Sequence, residues 1–277
     1  MSDTAATTDQ IEVIPVTGSI GAEIAGVQLR ALDDATFAVI RQAFLNHSML
    51  VFRDQHLTIE EHKAFAARWG EFSISPFVKY LEDHPGVLQL VNRGRDGAVT
   101  NNWHYDSAFL PEPPSMTINS ARQVPVGGDT MWSNQYFAYE TLSDGMKEML
   151  MGRRICFTGA RLAALGGAKE VPTTFHPIVR RHPETGRDAL FLGNPGSTVT
   201  HFENMSVEES LSLLQYLYQH SIEPDRVYRH QFRNGDLVMW DNRCTMHYAV
   251  HDYGDTAVRN LHRISIKGDQ PVGPTMR

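Results

Sequence analysis

The sequence predicts a mainly β fold with flanking helices, a double-stranded β-helix or cupin-like jelly roll. After residue 70 the chain consists of short apolar runs separated by Gly, Pro, Asn and Asp. Only a few stretches have the apolar spacing of an amphipathic helix, and they do not alternate with the strand-like runs. Many short strands framed by a few helices are typical of a two-sheet jelly roll rather than of a parallel βαβ sheet.

The first 70 residues are predicted to hold both helices and strands. Residues 1–10 are small and polar, so we expect a flexible N-terminal tail. Asp33 is an N-cap candidate, and Thr58 with Glu61 forms a capping box. The predicted elements are, in order, a strand at 11–15, a turn region at 18–26, a helix up to 47, a buried strand at 49–52 and a helix ended by Gly70.

The remainder of the chain is predicted to be mostly strands. The strand candidates are residues 87–91, 116–118, 129–132, 190–192, 228–232, 237–240 and 263–266. Helical spacing recurs around residues 139–151, and Ser206 with Glu209 opens another helix. Because no repeat or linker interrupts this pattern, we expect residues 11–277 to form a single domain.

Composition excludes several classes of function. The net charge of −7 gives no basic footprint for nucleic acid. No apolar run is long enough to span a membrane, and the polar start has no signal-peptide core. The two cysteines, Cys156 and Cys244, are too few for a disulfide framework and are typical of a reducing compartment. We therefore expect a soluble cytoplasmic enzyme or binding protein, with a small molecule rather than nucleic acid or a membrane as its partner.

A cluster of metal-ligand side chains is the most informative chemical feature. His104 and Asp106 are two residues apart, so on an extended strand they point to the same face. His247 follows an apolar strand-like run far downstream. Two imidazoles and one carboxylate on one side of a metal leave positions open, which suits Fe(II) that must bind a cosubstrate and O2.

Two arginines near the C-terminus indicate which cosubstrate could fill the open positions on the metal. Arg259 and Arg263 are four residues apart, so on a strand they share a face. The keto acid end of 2-oxoglutarate chelates a metal, and its far carboxylate then needs a partner. The planar guanidinium of arginine binds a carboxylate through two parallel hydrogen bonds.

These motifs resemble the TauD/TfdA family of Fe(II)- and 2-oxoglutarate-dependent dioxygenases over nearly the whole chain. The matching segments are Gly21–Gly26, Val51–Arg53, Trp103–Asp106, Gly127–Trp132, Trp240–Arg243, Met246–His247, Leu261–Arg263 and Gly268–Asp269. The resemblance implies that His104, Asp106 and His247 bind Fe(II), while Thr130 and Arg259 hold the far carboxylate of 2-oxoglutarate. It implies hydroxylation of a substrate with O2, with release of succinate and CO2.

The resemblance also directs attention to the substrate residues. Arg263 is expected to meet an acidic group such as a carboxylate, sulfonate or sulfate ester, with Lys79 in support. Ser75, Val78 and Thr100 occupy the positions that grip taurine in taurine dioxygenase and do not preserve its polar contacts. Taurine is therefore not the expected substrate. The Ala- and Gly-rich segment 159–174 is a lid candidate, whose alternative is an ordinary surface loop.

Two rival functions remain at the level of sequence. A zinc hydrolase could use the same three ligands with water in the fourth position, but it leaves Thr130 and the two arginines without a role. A non-catalytic jelly-roll binding protein has no need of the metal ligands. Dependence on 2-oxoglutarate separates the dioxygenase from both. The family resemblance further suggests a homo-oligomer, a dimer or a tetramer.

Overall fold

β-Strands dominate the computed structural model, which describes residues 11–93, 100–166 and 170–275. The expected tail at 1–10 lies outside these residues. The strands are β1 (Glu12–Pro15), β2 (Ala22–Ala25), β3 (Met49–Phe52), β4 (Leu88–Arg93), β5 (Met116–Gln123), β6 (Thr130–Asn134), β7 (Arg154–Thr158), β8 (Thr173–Pro177), β9 (Val179–Arg181), β10 (Asp188–Leu190), β11 (Val199–Phe202), β12 (Val227–His230), β13 (Leu237–Asp241), β14 (Thr245–Ala249) and β15 (Val258–Ile266). The helices are α1 (Asp34–His47), α2 (Ile59–Ala67), α3 (Gln135–Glu140), α4 (Asp144–Leu150), α5 (Ala160–Gly166) and α6 (Val207–Ser221).

The two sheets that frame the site contain strands from distant parts of the chain. Within the described residues, the larger sheet has the order β1-β2-β3-β13-β5-β15-β4 and is antiparallel except between β2 and β3. A second sheet has the order β12-β6-β14, and its pairs are antiparallel. The short turn between β13 and β14 carries the chain from the larger sheet to the second. In the described part of the chain, two smaller sheets have the orders β10-β9 and β11-β7-β8, and this mainly β architecture confirms the predicted jelly roll.

The apolar runs found in the sequence form the covered centre of the larger sheet. Every residue of β3 and of β13 is buried. Helices α1 and α2 cover one face of the sheet, where Phe44, Phe52 and Phe65 join its core. The rings of Trp132 and Trp240 lie 5.4 Å apart in another apolar cluster. Because both faces of the sheet are covered at β3 and β13, the sequences of these strands are continuously apolar rather than alternating between apolar and polar residues.

The predicted helix starts are confirmed by their capping hydrogen bonds. The side chain of Asp33 accepts from the backbone N–H of Thr36 at 2.7 Å. Capping boxes open α2 and α6, at Thr58 and Ser206 respectively. Such caps satisfy backbone donors that have no partner within the helix, and each stabilises its helix by about 1 kcal/mol.

Several predicted elements differ from those observed. The turn region at 18–26 contains β2, whose small residues pair with β1 and β3. The helix expected around 139–151 is two short helices, α3 and α4, with Ser143 capping the second. Helix α2 ends at Ala67, three residues before Gly70. The short strands β7, β8, β9 and β11 were not predicted, because half-buried three- to five-residue strands carry little periodicity.

Among the helices that the structure describes, none combines the length and the apolar character needed to cross a membrane.

Candidate active site

The two histidines predicted as ligands lie opposite each other on paired backbone segments. His247 is in the middle of β14, and His104 pairs with it through two backbone hydrogen bonds of 3.0 and 2.9 Å. Their imidazole centroids are 4.2 Å apart. The sequence had placed His247 after a strand, whereas it belongs to the next one.

The third residue, Asp106, lies in a turn rather than on the expected extended strand. His104 makes an isolated β-bridge, and the turn begins at Asp106. Ser107 has a φ of 48°, a left-handed conformation that is uncommon outside glycine. This turn aims the Asp106 carboxylate at the two imidazoles. The predicted cluster therefore forms, but by a different local route.

The three side chains together present a compact set of donor atoms. One nitrogen or oxygen from each of His104, Asp106 and His247 lies within 4.8 Å of the others. Nδ1 of His104 is 2.7 Å from the carbonyl oxygen of Asn102, so that nitrogen carries the proton and leaves Nε2 with its lone pair. Burial lowers the pKa of both imidazoles, most strongly that of His247. Both are therefore neutral at pH 7, as metal ligands must be.

The Asp106 carboxylate is ionised although it is buried. Burial alone would raise its pKa, but the Arg263 guanidinium, with a hydrogen bond from Thr117, holds the pKa well below its usual range. Nη2 of Arg263 is 2.7 Å from Oδ2 of Asp106, and Nε2 of His247 is 3.5 Å from Oδ1. The site thus combines one negative charge with two neutral imidazoles.

A second polar pair lies on β15 and β6. Arg259 is almost completely buried, and burial lowers its pKa to about 10. Its Nε donates to the carbonyl oxygen of Gly128 at 2.7 Å, and its Nη2 donates to Oγ1 of Thr130 at 3.1 Å. Its guanidinium also lies over the ring of Phe232, 5.3 Å from the centroid. The structure therefore brings Arg259 and Thr130 together, as the sequence predicted.

A cavity of about 390 Å³ opens beside the cluster. His104, Asp106 and Arg263 lie in its wall. The wall also includes Ser75, Val78 and Thr100, which align with the taurine-binding positions of taurine dioxygenase. The exposed Lys79 lines the cavity as well. The apolar part of the wall is formed by Val78, Leu88, Leu90, Phe109, Phe157 and Leu162. A small molecule with a polar end and an apolar body matches this lining.

Comparison with known proteins identifies the relatives of this chain. The family described as "Taurine catabolism dioxygenase TauD, TfdA family" matches residues 12–265. The chain belongs to the TauD/TfdA dioxygenase family. An alkylsulfatase of Acinetobacter baylyi is 34% identical, covering 96% of this chain and 88% of the relative. An alpha-ketoglutarate-dependent sulfate ester dioxygenase of Pseudomonas putida is also 34% identical, covering 95% of this chain and 92% of that enzyme.

Solved structures of the TauD/TfdA type share the fold. A taurine dioxygenase from Burkholderia xenovorans superimposes with a TM-score of 0.85 at 34% identity, covering 97% of this chain and 94% of the other. The structure of AAD-2 in complex with Mn(II) and N-oxalylglycine has a TM-score of 0.81 at 28% identity, covering 96% of this chain and 99% of that one. The chain is thus a 2-oxoglutarate-dependent dioxygenase of this family.

The TauD/TfdA site contains polar residues whose roles were not predicted from the sequence. Thr117 donates to Oδ2 of Asp106 at 2.7 Å, and Asn242 donates to Thr117 at 2.9 Å. The indole N–H of Trp240 donates to Asn242 at 2.9 Å. Trp240 and Asn242 lie in a family motif, which was the only signal in the sequence. Nothing local to Thr117 indicates its contact.

Asp241 and Arg243 of the same motif serve the turn between β13 and β14. Arg243 donates to both carboxylate oxygens of Asp241, at 2.8 and 2.6 Å, and its Nη1 lies 2.7 Å from Glu184. His182 approaches Asp241 at 3.0 Å. This buried ion pair fixes the turn that leads into β14, the strand of His247.

Cys244, whose role the sequence left open, packs rather than binds. Its thiol is buried in a small cluster with Tyr136 and Ala189. Burial raises the pKa of this thiol to about 12, so it remains protonated and unreactive. The sulfur lies 3.9 Å from the carbonyl oxygen of Asp241.

The lid candidate at 159–174 contains regular structure on both sides of residues 167–169, which lie outside the described part. It holds α5 and the first two residues of β8. Gly159 and Leu162 line the cavity. A Cβ atom on Gly159 would lie 2.8 Å from Pro172 and 3.0 Å from Phe109, so this end of the segment packs closely on the wall. Whether the segment moves remains a prediction.

Proposed function

We propose that this chain binds Fe(II) through His104, Asp106 and His247 and hydroxylates a small organic acid with 2-oxoglutarate and O2 as cosubstrates. The observation that carries the proposal is the convergence of these three donor atoms within 4.8 Å, beside a cavity whose wall includes His104 and Asp106. The balanced reaction converts substrate, 2-oxoglutarate and O2 into hydroxylated substrate, succinate and CO2. When bound, Fe(II) would supply O2 activation and the oxidation of the substrate carbon.

The donor set fits a divalent metal that keeps open positions. Two neutral imidazoles and one carboxylate occupy one side and leave the cavity side free. The backbone carbonyl of Asn102 fixes the tautomer of His104, the kind of support that metal-bound histidines receive in proteins.

Arg259 and Thr130 are proposed to hold the far carboxylate of 2-oxoglutarate. A buried guanidinium needs an anion to compensate its charge, and no carboxylate among the described residues hydrogen-bonds to Arg259. Its planar fork and the Thr130 hydroxyl match a carboxylate. This positioning would leave the keto acid end to reach the three ligands.

Arg263 is proposed to bind the acidic group of the substrate, with Lys79 and Thr100 nearby in the wall. Its contact with Asp106 uses Nη2, and a guanidinium has further N–H donors to offer. The relatives described above are named as an alkylsulfatase and a sulfate ester dioxygenase, which is consistent with an acidic group attached to an apolar body. The apolar wall would exclude water and orient the carbon that reacts.

The test is the stoichiometry of turnover. Purified protein with Fe(II) and 2-oxoglutarate is supplied with alkyl sulfates, phenoxy acids, alkyl sulfonates and taurine. We expect substrate-dependent O2 uptake matched one to one by succinate, with taurine the poorest of the sulfonates. Absence of succinate with every acid, together with hydrolysis of an ester in a zinc-loaded sample, would overturn the proposal.

We further propose that residues 11–277 form one domain, that the protein works in the cytoplasm and that it assembles as a homo-oligomer. The first proposal is supported by the family match across residues 12–265. Sedimentation of the purified protein tests the last.

A further inference from the structure

A buried chain of hydrogen bonds ends on one oxygen of Asp106. Thr117 is completely buried on β5, where its strand partners are Trp240 on one side and Ser265 on the other. The hydrogen bonds run from Trp240 to Asn242, from Asn242 to Thr117 and from Thr117 to Asp106, at 2.9, 2.9 and 2.7 Å. Each of the first three side chains is at most 1% exposed.

Trp240, the first residue of this series of hydrogen bonds, determines which group donates in each of them. An indole N–H can only donate, so the Asn242 amide must present its oxygen to Trp240. The NH2 group of Asn242 then faces Thr117, whose hydroxyl oxygen accepts. The single hydroxyl proton of Thr117 is left for Asp106. Ser265 is the other neighbour at 3.4 Å, but an ionised carboxylate is the stronger acceptor.

As a consequence, the two carboxylate oxygens of Asp106 have different partners. Oδ2 receives both Thr117 and Nη2 of Arg263, each at 2.7 Å. Oδ1 is the oxygen nearer His247, 3.5 Å from its Nε2. Two strong donors on Oδ2 fix the rotation of the carboxylate, so Oδ1 is the oxygen directed toward His247.

We propose that Thr117 is a positioning residue for the metal site, with Asn242 and Trp240 setting its proton direction. This inference rests on the proposed function, since it assigns Asp106 as a ligand. By holding Oδ2 away from the metal, these hydrogen bonds would make Asp106 bind the metal through one oxygen only. A further coordination position on the metal would then stay open. Trp240 contributes twice, because its ring also lies 4.8 Å from the His247 ring.

The test measures metal affinity without turnover. Metal-free protein is titrated anaerobically with Mn(II) alone, and free Mn(II) is followed by electron paramagnetic resonance. Thr117→Val keeps the shape but removes the hydroxyl, and we expect its Kd to rise about 10- to 100-fold, the usual effect of losing a partner of a metal ligand. Thr117→Ser retains the hydroxyl and is expected to restore tight binding.

Thr36→Val is the matched control, because it removes a buried threonine hydroxyl from the first turn of α1. A folded Thr117→Val protein that binds Mn(II) as tightly as wild type overturns the inference. If Thr117→Val does not fold, Trp240→Phe provides the same test: it removes the indole donor, and an unchanged Kd overturns the inference. Failure of the proposed function is distinct, because wild type and Asp106→Ala would then bind Mn(II) equally weakly.

Discussion

At the scale of single residues, Arg259 is a buried charge with no carboxylate hydrogen-bonded to it among the described residues. Its side chain is buried, and its hydrogen bonds go to a carbonyl and a hydroxyl rather than to a carboxylate. Surface arginines of the same chain pair with acids, as Arg187 does with Glu140. Arg259 thus differs from the surface arginines in having no carboxylate from the described part of the chain hydrogen-bonded to it. This would leave its guanidinium available to the carboxylate of a cosubstrate.

Arg259→Lys keeps the positive charge and loses the planar fork. We expect the KM for 2-oxoglutarate to rise about 10- to 100-fold, because a hydrogen bond to a charged group contributes about 1.5–3 kcal/mol. Initial rates of succinate release at varied 2-oxoglutarate concentration provide the measurement. Arg187→Lys, an exposed arginine, is the control. Equal KM values in both variants would remove Arg259 from the cosubstrate site.

The sequence was most informative where a residue type is tied to its chemistry. His104, Asp106, His247 and Arg259 could be selected because metal and carboxylate binding restrict the choice of side chain. Thr117 could not be, since threonine is common in strands and its partner Asn242 is 125 residues away. Such contacts exist only after the sheet has formed.

At the scale of elements, the turn between β13 and β14 depends on a buried ion pair. Asp241→Asn leaves the Arg243 guanidinium without its main counter-charge, and we expect a loss of about 3–5 kcal/mol in the free energy of unfolding. Asp188→Asn is a matched control, because Asp188 also binds both arms of an arginine, Arg181, but at the surface. We expect that change to cost far less, because water screens an ion pair at the surface.

Urea unfolding of both variants at pH 7 measures the difference. Equal losses would show that the turn does not depend on its buried pair. The sequence predicted β13 from its apolar run but not β14, because β14 includes His247 and Thr245 among buried residues. A strand that carries a site residue such as His247 departs from the apolar pattern by which strands are recognised.

At the scale of the whole molecule, buried histidines tie stability to pH. His62 on α2 is fully buried, and burial with the nearby Arg122 charge lowers its pKa to about 3. The unfolded chain binds this proton near pH 6.5 and the folded chain does not. Stability from the neutral form is therefore complete above about pH 6.5 and declines as pH falls toward 3, by up to about 1.4 kcal/mol per pH unit.

His62→Leu should reduce the slope of the free energy of unfolding against pH by the amount that corresponds to the uptake of about one proton. The free energy of unfolding is measured in urea at several values between pH 7 and 5. Phe65→Leu on the same helix is the control, since it should lower stability by a similar amount at every pH. A slope unchanged by His62→Leu would mean that the buried imidazole gains its proton without cost.

The overall architecture followed from the sequence because many short apolar runs leave few alternatives to two packed sheets. The crossing of the chain between sheets at β13 and β14 did not, because it depends on side chains such as Asp241 and Arg243 that meet only in three dimensions. That crossing is what brings His247 to His104 and creates the site.

The most direct test of the account is the visible spectrum of metal-free protein mixed anaerobically with Fe(II) and 2-oxoglutarate. We expect a weak charge-transfer band from the chelated cosubstrate in wild type, lost in Asp106→Ala and weakened in Arg259→Ala. No band in folded wild-type protein, with zinc retained tightly instead, would contradict the assignment and favour a hydrolase.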